Sequence, residues 1–216
     1  MTQSNQGVRF HTFRRTASAK RQVKGSEFIG LTRSVSSREA AENELECVRK
    51  EHPKATHHCY AWRLNPHDLI EFSQDDGEPG GTAGLPILHA LQANRLVNVL
   101  LVVVRYYGGT KLGKPGLIQA YGEAATAAIQ STPLEAVHLV EKVTFCYDYG
   151  LQPAVEKLRA TASLIELEAA YGERVEITFG CPENAIVHLD RFCEQTGYQL
   201  HNIKRHGLTA ITDSTI

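Results

Sequence analysis

Residues 97–107 form the stretch that most restricts how this chain can fold, because they are almost entirely apolar until Arg105. A continuous apolar run of this length, rich in valine and bounded by turn residues, predicts a central strand that is buried on both faces. A glycine-rich segment follows the run, GGTKLGKPG at residues 108–116, and we call it the second loop. A helical pattern comes next, with Pro115 near its start, where the missing N–H of proline costs least. The chain therefore contains a buried strand that leads through a loop into a helix.

Another glycine-rich segment leads into a helical pattern further upstream. This first loop, SQDDGEPGGTAG, covers residues 73–84 and carries three carboxylates, at Asp75, Asp76 and Glu78. Three bases, Arg105, Lys111 and Lys114, lie in the second loop or just before it. Two glycine-rich loops that each lead into a helix N-terminus can present backbone N–H groups to a ligand.

Three interpretations of the two loops stay open from the sequence. In the first, Asp75 or Asp76 bonds to its own turn, and the glycines provide backbone angles that other residues cannot reach, with positive φ at one of Gly108 and Gly109. In the second, residues 80–84 and the neighbouring bases bind a phosphate, a nucleotide or an acidic peptide at a helix N-terminus. In the third, the carboxylates hold a metal ion or act as acid and base. The first loop lacks the GxxxxGK[ST] order of a P-loop, so ordinary nucleotide hydrolysis is not indicated.

The candidate binding site combines charged, hydroxyl, aromatic and glycine residues of both loops. Its members are Asp75, Asp76, Glu78, Gly80, Gly81, Thr82, Gly84, Arg105, Tyr106, Tyr107, Gly108, Gly109, Lys111 and Lys114. No catalytic residue, metal ligand set or cofactor is assigned, and the sequence favours a protein that is not an enzyme.

Composition indicates the compartment. No apolar run reaches the roughly 18 residues needed to span a bilayer, and the start of the chain lacks the apolar core of a secretory signal. The five cysteines are an odd number without paired spacing, which suits reduced thiols. These features predict a cytoplasmic protein that does not contact a membrane.

Charge is distributed unevenly along the chain. Residues 1–24 contain six bases and no acid, whereas the remainder contains 17 bases and 24 acids. A polar, basic, serine-containing segment of this kind is typical of a disordered arm. Such an arm could seek nucleic acid, or it could be a solubilising extension, which is the interpretation we favour.

The segment after this arm has the pattern of a strand followed by a helix. The strand is predicted at residues 26–35. Ser36 or Ser37 can cap the helix, because a serine side chain can accept from the free N–H groups of a first turn. We expect the helix to end before Pro53.

A second strand is predicted at residues 55–64, ATHHCYAWRL, where side chains alternate between two faces. His57 and Cys59 lie on one face, and Tyr60 and Trp62 lie on the other. Two ligands do not make a zinc site, so we expect a packed strand in which one histidine donates a hydrogen bond.

The C-terminal part of the chain has its own order of elements. After a boundary near residues 131–133, the pattern predicts strand, helix, strand, strand, helix and strand, which is the ferredoxin-like βαββαβ order. RNA-binding domains share this order, but the third strand offers only Phe179 as a stacking aromatic. Residues 138–216 also contain 7 bases and 11 acids, so their sheet would repel phosphate. Generic RNA binding by this sheet is therefore not expected.

Several of these motifs resemble a known family. DDGEPGGTAGLP, VVVRYYGGTKLG and GLIQAYGEA are similar to the most recognisable blocks of the Impact/YigZ family, DDGEPxGTAGxP and VVRYYGGxxLGxGGL. The upstream segments KGSEFIG and HPKATHHCYAW also resemble family segments. The resemblance covers residues 24–131, and the remainder is consistent in layout. One difference is Lys114-Pro115, where the family usually has small or glycine residues.

The resemblance implies an α+β protein of two domains. The N-terminal βαβ-type domain would be similar to a small-subunit ribosomal protein domain, and the C-terminal ferredoxin-like βαββαβ domain to a domain of translation elongation factor G. The predicted layout is a basic disordered arm at residues 1–23, an Impact-type domain at 24–135, a ferredoxin-like domain at 136–206 and a tail at 207–216.

The resemblance also implies a function, although a fold alone does not fix one. Eukaryotic relatives regulate translation in the amino-acid-starvation kinase pathway. We therefore expect a factor in translation or stress control that binds the ribosome, a translation factor, a regulatory protein or RNA. The alternative is an enzyme or a nucleotide- or phosphate-binding protein that uses residues 75–84 and 108–116. If the alternative is right, the protein should bind a small ligand without any other molecule. If it is a translation factor, binding should require a large partner.

Overall fold

The computed structural model describes residues 10–215, and the chain divides into two compact units, Met1–Ala136 and Val137–Ile216. Both units combine helices with antiparallel strands. The mixed class of helices and strands that the sequence predicts is therefore confirmed.

The first unit is built on a sheet with the strand order β2-β3-β6-β4-β5. Its elements are β1 (Phe10–Phe13), β2 (Ala17–Val23), β3 (Ser26–Ser34), α1 (Arg38–Glu51), β4 (His57–Leu64), β5 (Ile70–Gln74), α2 (Gly84–Ala93), β6 (Val99–Tyr106) and α3 (Gly113–Gln130). Each neighbouring pair of strands in this sheet is antiparallel.

Strand β6 lies at the centre of this sheet and is buried on both faces, as the apolar run predicts. Its alternate side chains enter two separate cores. Leu101 and Val103 pack in the core that α2 and α3 cover, whereas Val102 and Val104 pack in the core on the α1 side. A strand whose two faces both meet helices has no polar face, which explains why its sequence does not alternate.

Helix α1 begins where the sequence predicts. The Ser37 side chain accepts a hydrogen bond from the backbone N–H of Ala40 at 3.1 Å, and the helix ends at Glu51, before Pro53. The cap satisfies one of the N–H groups that the first turn leaves without a helical partner.

The prediction of a disordered basic arm is wrong for the part of residues 1–23 that the structure describes. β2 is ordered against β3, and its residues pair along the whole strand from Ala17 to Val23. Residues 1–9 lie outside the described range.

The arm pairs with β3 along its backbone, and Ala19 and Val23 pack against the core of the first unit, while acids outside the arm offset part of its charge. Lys20 Nζ lies 3.3 Å from Glu27 Oε1, and Arg21 Nη1 lies 3.5 Å from Glu123 Oε2 of α3. The charge count of residues 1–24, on which the prediction of disorder rested, does not include Glu27 and Glu123.

A tight turn connects the arm to the strand that follows it. Lys24 and Gly25, with φ of 45° and 82°, reverse the chain between β2 and β3, as in a two-residue hairpin. The strand that the sequence places first, at residues 26–35, is therefore the third strand of the chain.

The second unit has the element order βαββαβ, in agreement with the order that the sequence predicts. Its elements are β7 (Leu134–Tyr147), which begins just before the boundary, α4 (Gln152–Ala162), β8 (Ile165–Tyr171), β9 (Val175–Pro182), α5 (Ile186–Thr196) and β10 (Leu200–Thr212). β10 pairs with β7, β7 with β9, and β9 with β8, all antiparallel.

One face of this second sheet carries the core. Phe145 of β7 and Phe179 of β9 pack there against Val155 and Leu158 of α4 and Leu189 of α5. The residues between them in the strands point to the opposite face, because side chains alternate along a strand. Polar side chains of the strands line a cavity on that opposite face.

The predicted tail at residues 207–216 is also wrong for the residues that the structure describes. β10 continues to Thr212, and its last part pairs with β7, where Ile211 lies opposite His138. Ile211 is buried, so the end of the strand contributes apolar packing as well as backbone hydrogen bonds. Residue 216 lies outside the described range.

Two further findings concern the whole chain. All five cysteines are free thiols. Among residues 10–215, none of the helices combines the length and the apolar character that crossing a lipid bilayer requires.

Candidate functional site

A buried ion pair joins the first loop to the end of β6, directly before the second loop. Arg105 donates from Nη1 to Glu78 Oε1 at 2.5 Å, and the Tyr121 hydroxyl of α3 donates to the same oxygen at 2.7 Å. The Glu78 and Arg105 side chains are only 4% and 6% exposed. A buried charge must be paired and hydrogen-bonded to be tolerated, and this pair meets that condition.

Arg105 is enclosed by further groups of the first unit. Its Nη2 lies 3.4 Å from Ser26 Oγ, and its guanidinium carbon lies 5.4 Å from the ring centres of both Phe28 and Tyr107. Contacts of this length between a guanidinium and aromatic rings are attractive. Nε of Arg105 is buried without a hydrogen-bond partner in the described part of the chain. The side chain therefore holds the site together and is not a free cation for a ligand.

Asp75 occupies the backbone donors of the first loop. Its Oδ2 accepts from the N–H of Gly81 at 2.8 Å, and its Oδ1 accepts from Ala83 at 2.9 Å and from Gly84 at 2.8 Å. Burial raises the pKa of the Asp75 carboxyl, but these three N–H groups together outweigh burial and lower the pKa below its ordinary value. The helix N-terminus that the sequence offers to a phosphate is thus occupied by a carboxylate of the chain itself.

Asp76 fixes the turn of the first loop to β4. Its Oδ2 accepts from the backbone N–H of His58 at 2.6 Å, and its carbonyl oxygen lies 2.7 Å from His57 Nδ1. Asp76 and the following Gly77 both have positive φ, 44° and 88°, which is the conformation of a tight turn. The carboxylate therefore braces the loop.

The two adjacent histidines of β4 contact the first loop from opposite faces of the strand. His57 Nδ1 donates to the Asp76 carbonyl, since a carbonyl only accepts, and His57 Nε2 lies 3.9 Å from Glu78 Oε1. His58 Nε2 donates to the His52 carbonyl at 3.2 Å, and its Nδ1 lies 3.8 Å from Asp76 Oδ2. Burial lowers the pKa of His58. The sequence predicts one hydrogen-bonded histidine on this strand, and the structure shows that both have a partner.

Cys59 and Tyr121 are buried beside Glu78, and neither is prepared to act as a nucleophile. The Cys59 thiol donates to the Asp75 carbonyl at 3.0 Å. Burial raises the pKa of both the Cys59 thiol and the Tyr121 hydroxyl, so both groups keep their protons at neutral pH. Among the described residues, no group of three or more His, Cys, Asp and Glu side chains is placed to hold a metal ion.

Close backbone approaches explain two of the candidate glycines. A Cβ on Gly84 would lie 2.7 Å from the backbone nitrogen of Gln74, and a Cβ on Gly108 would collide with the carbonyl of Gly25. Gly109 has a φ of 85°, which confirms the prediction that one glycine of this pair adopts positive φ. Both loops therefore use glycine for the path of the backbone.

Two other candidates of the first loop differ in their surroundings. Gly80 has open space where a Cβ would lie. Thr82 is buried, and its hydroxyl donates to the Pro79 carbonyl at 2.7 Å. The Thr82 hydroxyl is therefore used by the loop itself.

The second loop differs from the first because its charged groups lie at the surface. Lys111 and Lys114 are exposed, and within residues 10–215 neither makes an ion pair. Tyr107 is 46% exposed, while its backbone N–H donates to Thr56 Oγ1 at 3.1 Å. In the described part of the chain, no side chain caps the N-terminus of α3. We call Tyr107, Lys111 and Lys114 the second-loop surface.

The remaining candidate aromatic is used internally. The Tyr106 hydroxyl lies 2.9 Å from His52 Nδ1 at the end of α1, and the two rings meet edge to face. The sequence missed Tyr121, Ser26 and the histidines as members of the site. Tyr121 has the pattern of an ordinary apolar position of α3, and only its distance from Glu78 in the fold shows its role.

The chain is similar in sequence to one protein family and in structure to a solved protein. The family model for the Impact N-terminal domain matches residues 24–129. The IMPACT family member YvyE of Bacillus subtilis is 34% identical over 154 residues, which are 71% of this chain and 71% of that protein. The IMPACT family member YigZ of Escherichia coli is 39% identical over 140 residues, 63% of this chain and 68% of that protein. A crystal structure of a hypothetical protein matches with a TM-score of 0.64 and 28% identity, and the match covers 94% of this chain and 98% of that chain.

Proposed function

The chain belongs to the IMPACT family, and from this membership we propose that it is a factor in translation or stress control that acts by binding a partner through the second-loop surface. One observation carries the choice of surface. The carboxylates of the first loop and Arg105 are bonded within the protein, whereas Lys111, Lys114 and Tyr107 remain accessible.

The chemistry of this surface selects an anionic partner. Two lysines without an ion pair among the described residues attract negative charge, and an accessible tyrosine ring offers a face for stacking or apolar contact. A ribosome, an RNA or an acidic region of a translation factor has this character. The buried Glu78 does not oppose such a partner, because its carboxylate is bonded to Arg105 and Tyr121.

Cosedimentation with ribosomes in low and high salt tests this function. We expect the parent protein to sediment with ribosomes in low salt and to be released by high salt, because ionic contacts are screened. Lys111→Glu combined with Lys114→Glu should abolish sedimentation. The matched control combines Lys50→Glu with Lys157→Glu, which makes the same change in net charge at exposed lysines elsewhere. Equal loss in both variants would contradict the assignment of the surface.

A second candidate function rests on the uncapped start of α3. Its free N–H groups and the nearby Lys111 and Lys114 would suit a phosphate group, so a phosphate-bearing small molecule is the alternative ligand. Thermal melting in inorganic phosphate, ATP and GTP distinguishes the two. Stabilisation by a small ligand that is lost in the lysine variant would favour the alternative, whereas ribosome binding without such stabilisation favours the translation factor.

The finer assignments of fold and compartment belong to the same proposal. The pairing of β10 with β7, β7 with β9 and β9 with β8, together with the βαββαβ sequence of elements, supports a ferredoxin-like second domain. Family membership supports a first domain similar to one in a small-subunit ribosomal protein. The five free thiols support a cytoplasmic location.

A further inference from the structure

A cavity of about 250 Å³ lies on the face of the second-unit sheet that is opposite its core. All of its lining residues belong to the second unit, whereas both loops belong to the first. Polar side chains line it throughout: Lys142, Thr144, Glu168, Glu176, Thr178, Asn202, Lys204 and His206. A lining that contains both acids and bases suits a ligand that carries both signs of charge.

Two hydroxyl groups form the floor of this cavity. Thr144 of β7 and Thr178 of β9 are cross-strand partners, and their Oγ1 atoms lie 2.9 Å apart. His206 Nε2 lies 3.0 Å from Thr144 Oγ1. The floor can therefore both donate and accept hydrogen bonds.

Charge is separated across the cavity. The register places Lys204 of β10 opposite Thr144, and Glu168 of β8 opposite Thr178. Lys204 and Glu168 therefore lie at the two ends of one row that crosses four strands. The second lysine of the lining, Lys142, lies on β7, so both lysines are on β7 and β10 and both carboxylates are on β8 and β9. Lys204 has no ion pair among the described residues.

The acidic end carries two carboxylates whose own contacts are weak. Glu168 makes one long contact, 3.8 Å to Lys142 Nζ. Glu176 lies two residues before Thr178 on β9, and its Oε2 accepts from the Cys146 thiol at 3.3 Å. Both glutamates are exposed, so their remaining oxygen lone pairs are available to a donor on a ligand.

The backbone of β10 is irregular beside the basic end. Its register with β7 shifts between His201 and Lys204 and again between Arg205 and Leu208. Asn202 has a positive φ of 53°. Irregularities of this kind redirect side chains and recur next to binding sites.

We propose that this cavity binds a small zwitterion of the size of a free α-amino acid. The ligand carboxylate would accept from Lys204, His206 and the Asn202 amide, and its ammonium group would donate to Glu168 and Glu176. Hydrogen bonds between charged groups are the strong ones, and here each end of the ligand meets the opposite charge. The volume is below the roughly 300–1,000 Å³ of pockets that hold drug-sized ligands, which fits a smaller molecule.

The arrangement argues against a simple anion or a nucleic acid. Two carboxylates at one end repel a phosphate, and residues 138–216, with 7 bases and 11 acids, carry a net excess of acids. A lone cation would be repelled by Lys204 at the other end. Only a ligand that carries both charges satisfies both ends.

Nuclear magnetic resonance of the full-length protein tests the proposal directly. Each of the standard amino acids is added singly at millimolar concentration, with acetate, ethylamine and inorganic phosphate as probes that carry charge of one sign. We expect at least one amino acid to shift the amide signals of residues 142–144, 176–178 and 202–206, and the probes of one sign to leave them unchanged. An equal response to acetate, ethylamine or phosphate, or no response to any amino acid, would overturn the proposal.

Exposed side chains allow variants that keep the fold. Lys204→Ala and Glu168→Gln should each weaken binding of the active amino acid about tenfold, the loss expected for one charge-assisted hydrogen bond. Lys157→Ala, at an exposed lysine on α4, should bind as the parent does. Unchanged affinity in Lys204→Ala and Glu168→Gln would contradict the site. Ribosome sedimentation is measured on the same variants and should be unaffected, so failure here is distinguishable from failure of the proposed function.

Discussion

The two glycine-rich loops of the first unit look alike in sequence and differ in the fold. Both combine glycines with charged residues and lead into a helix, but the first loop directs its carboxylates inward and the second presents its lysines outward. Asp75 alone accepts from three backbone N–H groups of its own loop, whereas no described side chain caps the helix after the second loop. A charged glycine-rich loop can therefore bond within the chain or leave its charges at the surface, and the difference depends on whether partners within the chain reach its charged groups and N–H donors.

The largest expected effect concerns the ion pair that ties the first loop to β6. Arg105→Ala removes the paired cation from the buried Glu78 carboxylate, so we expect a loss of about 3–5 kcal/mol in the free energy of unfolding. Urea denaturation measures it. Lys111→Ala, the matched control on the second loop, should change stability by less than about 0.5 kcal/mol. Similar small losses in both variants would show that the two loops do not differ in this way.

A smaller effect is expected from the glycine that requires positive φ. Gly109→Val should cost about 1–3 kcal/mol, because a φ of 85° is strained for any residue with a branched side chain. Gly80→Val is the control, since Gly80 has open space where a Cβ would lie. Thermal melting of the two variants checks the difference, and an equal loss in both would rule out strain at Gly109 as the cause.

Asp75→Asn tests the brace by its dependence on pH. The folded pKa of Asp75 is lowered, so the carboxylate stabilises the fold above the unfolded pKa of about 3.9, and this contribution is lost as pH falls through the folded pKa. We expect the variant to be about 0.5–2 kcal/mol less stable at pH 7. The gap between parent and variant should close in acid, and denaturant melts over the acidic to neutral range measure it. A gap that does not change with pH would contradict a charge-dependent brace.

Metal ions provide a second test of the same residues. If Asp75 and Asp76 only brace the loop, the parent should melt at the same temperature in magnesium, calcium, manganese and chelator. Asp75→Asn combined with Asp76→Asn should melt lower in all four. A metal-dependent rise of several degrees in the parent that disappears in the double variant would restore the metal interpretation and make an enzyme the leading hypothesis.

The smallest effect on stability, with a measurable effect on binding, is expected at the second-loop surface. Lys111→Ala and Lys114→Ala should each leave the melting temperature unchanged. If the partner is single-stranded RNA, each should reduce the slope of log affinity against log salt by about 0.7, since one phosphate contact is removed. Filter binding at several salt concentrations measures this slope. An unchanged slope would contradict an ionic contact between these lysines and the partner.

The structure confirms what the local pattern of the sequence predicts. The run of valines at β6 identifies a strand buried on both faces, and Ser37 identifies the start of α1. The alternation in β4 separates Cys59 from Tyr60 and Trp62, which enter different cores. These features depend on neighbours within a few positions, so the sequence contains all the information they need.

The sequence by itself determined the buried strand, the start of the first helix, the order of elements in the second unit and the family. Only the tertiary structure decided which charges are free. Glu78 meets Arg105 and Tyr121 from 27 and 43 residues away, and Arg21 of the predicted arm meets Glu123 on α3. A charged group interacts with different strength in water and beside a buried partner, and the chain must fold before the buried environment exists. For that reason the sequence alone cannot tell which candidate residues bond within the protein and which stay exposed. The fold shows that the first-loop carboxylates and Arg105 are bonded internally, and that Lys111 and Lys114 are exposed.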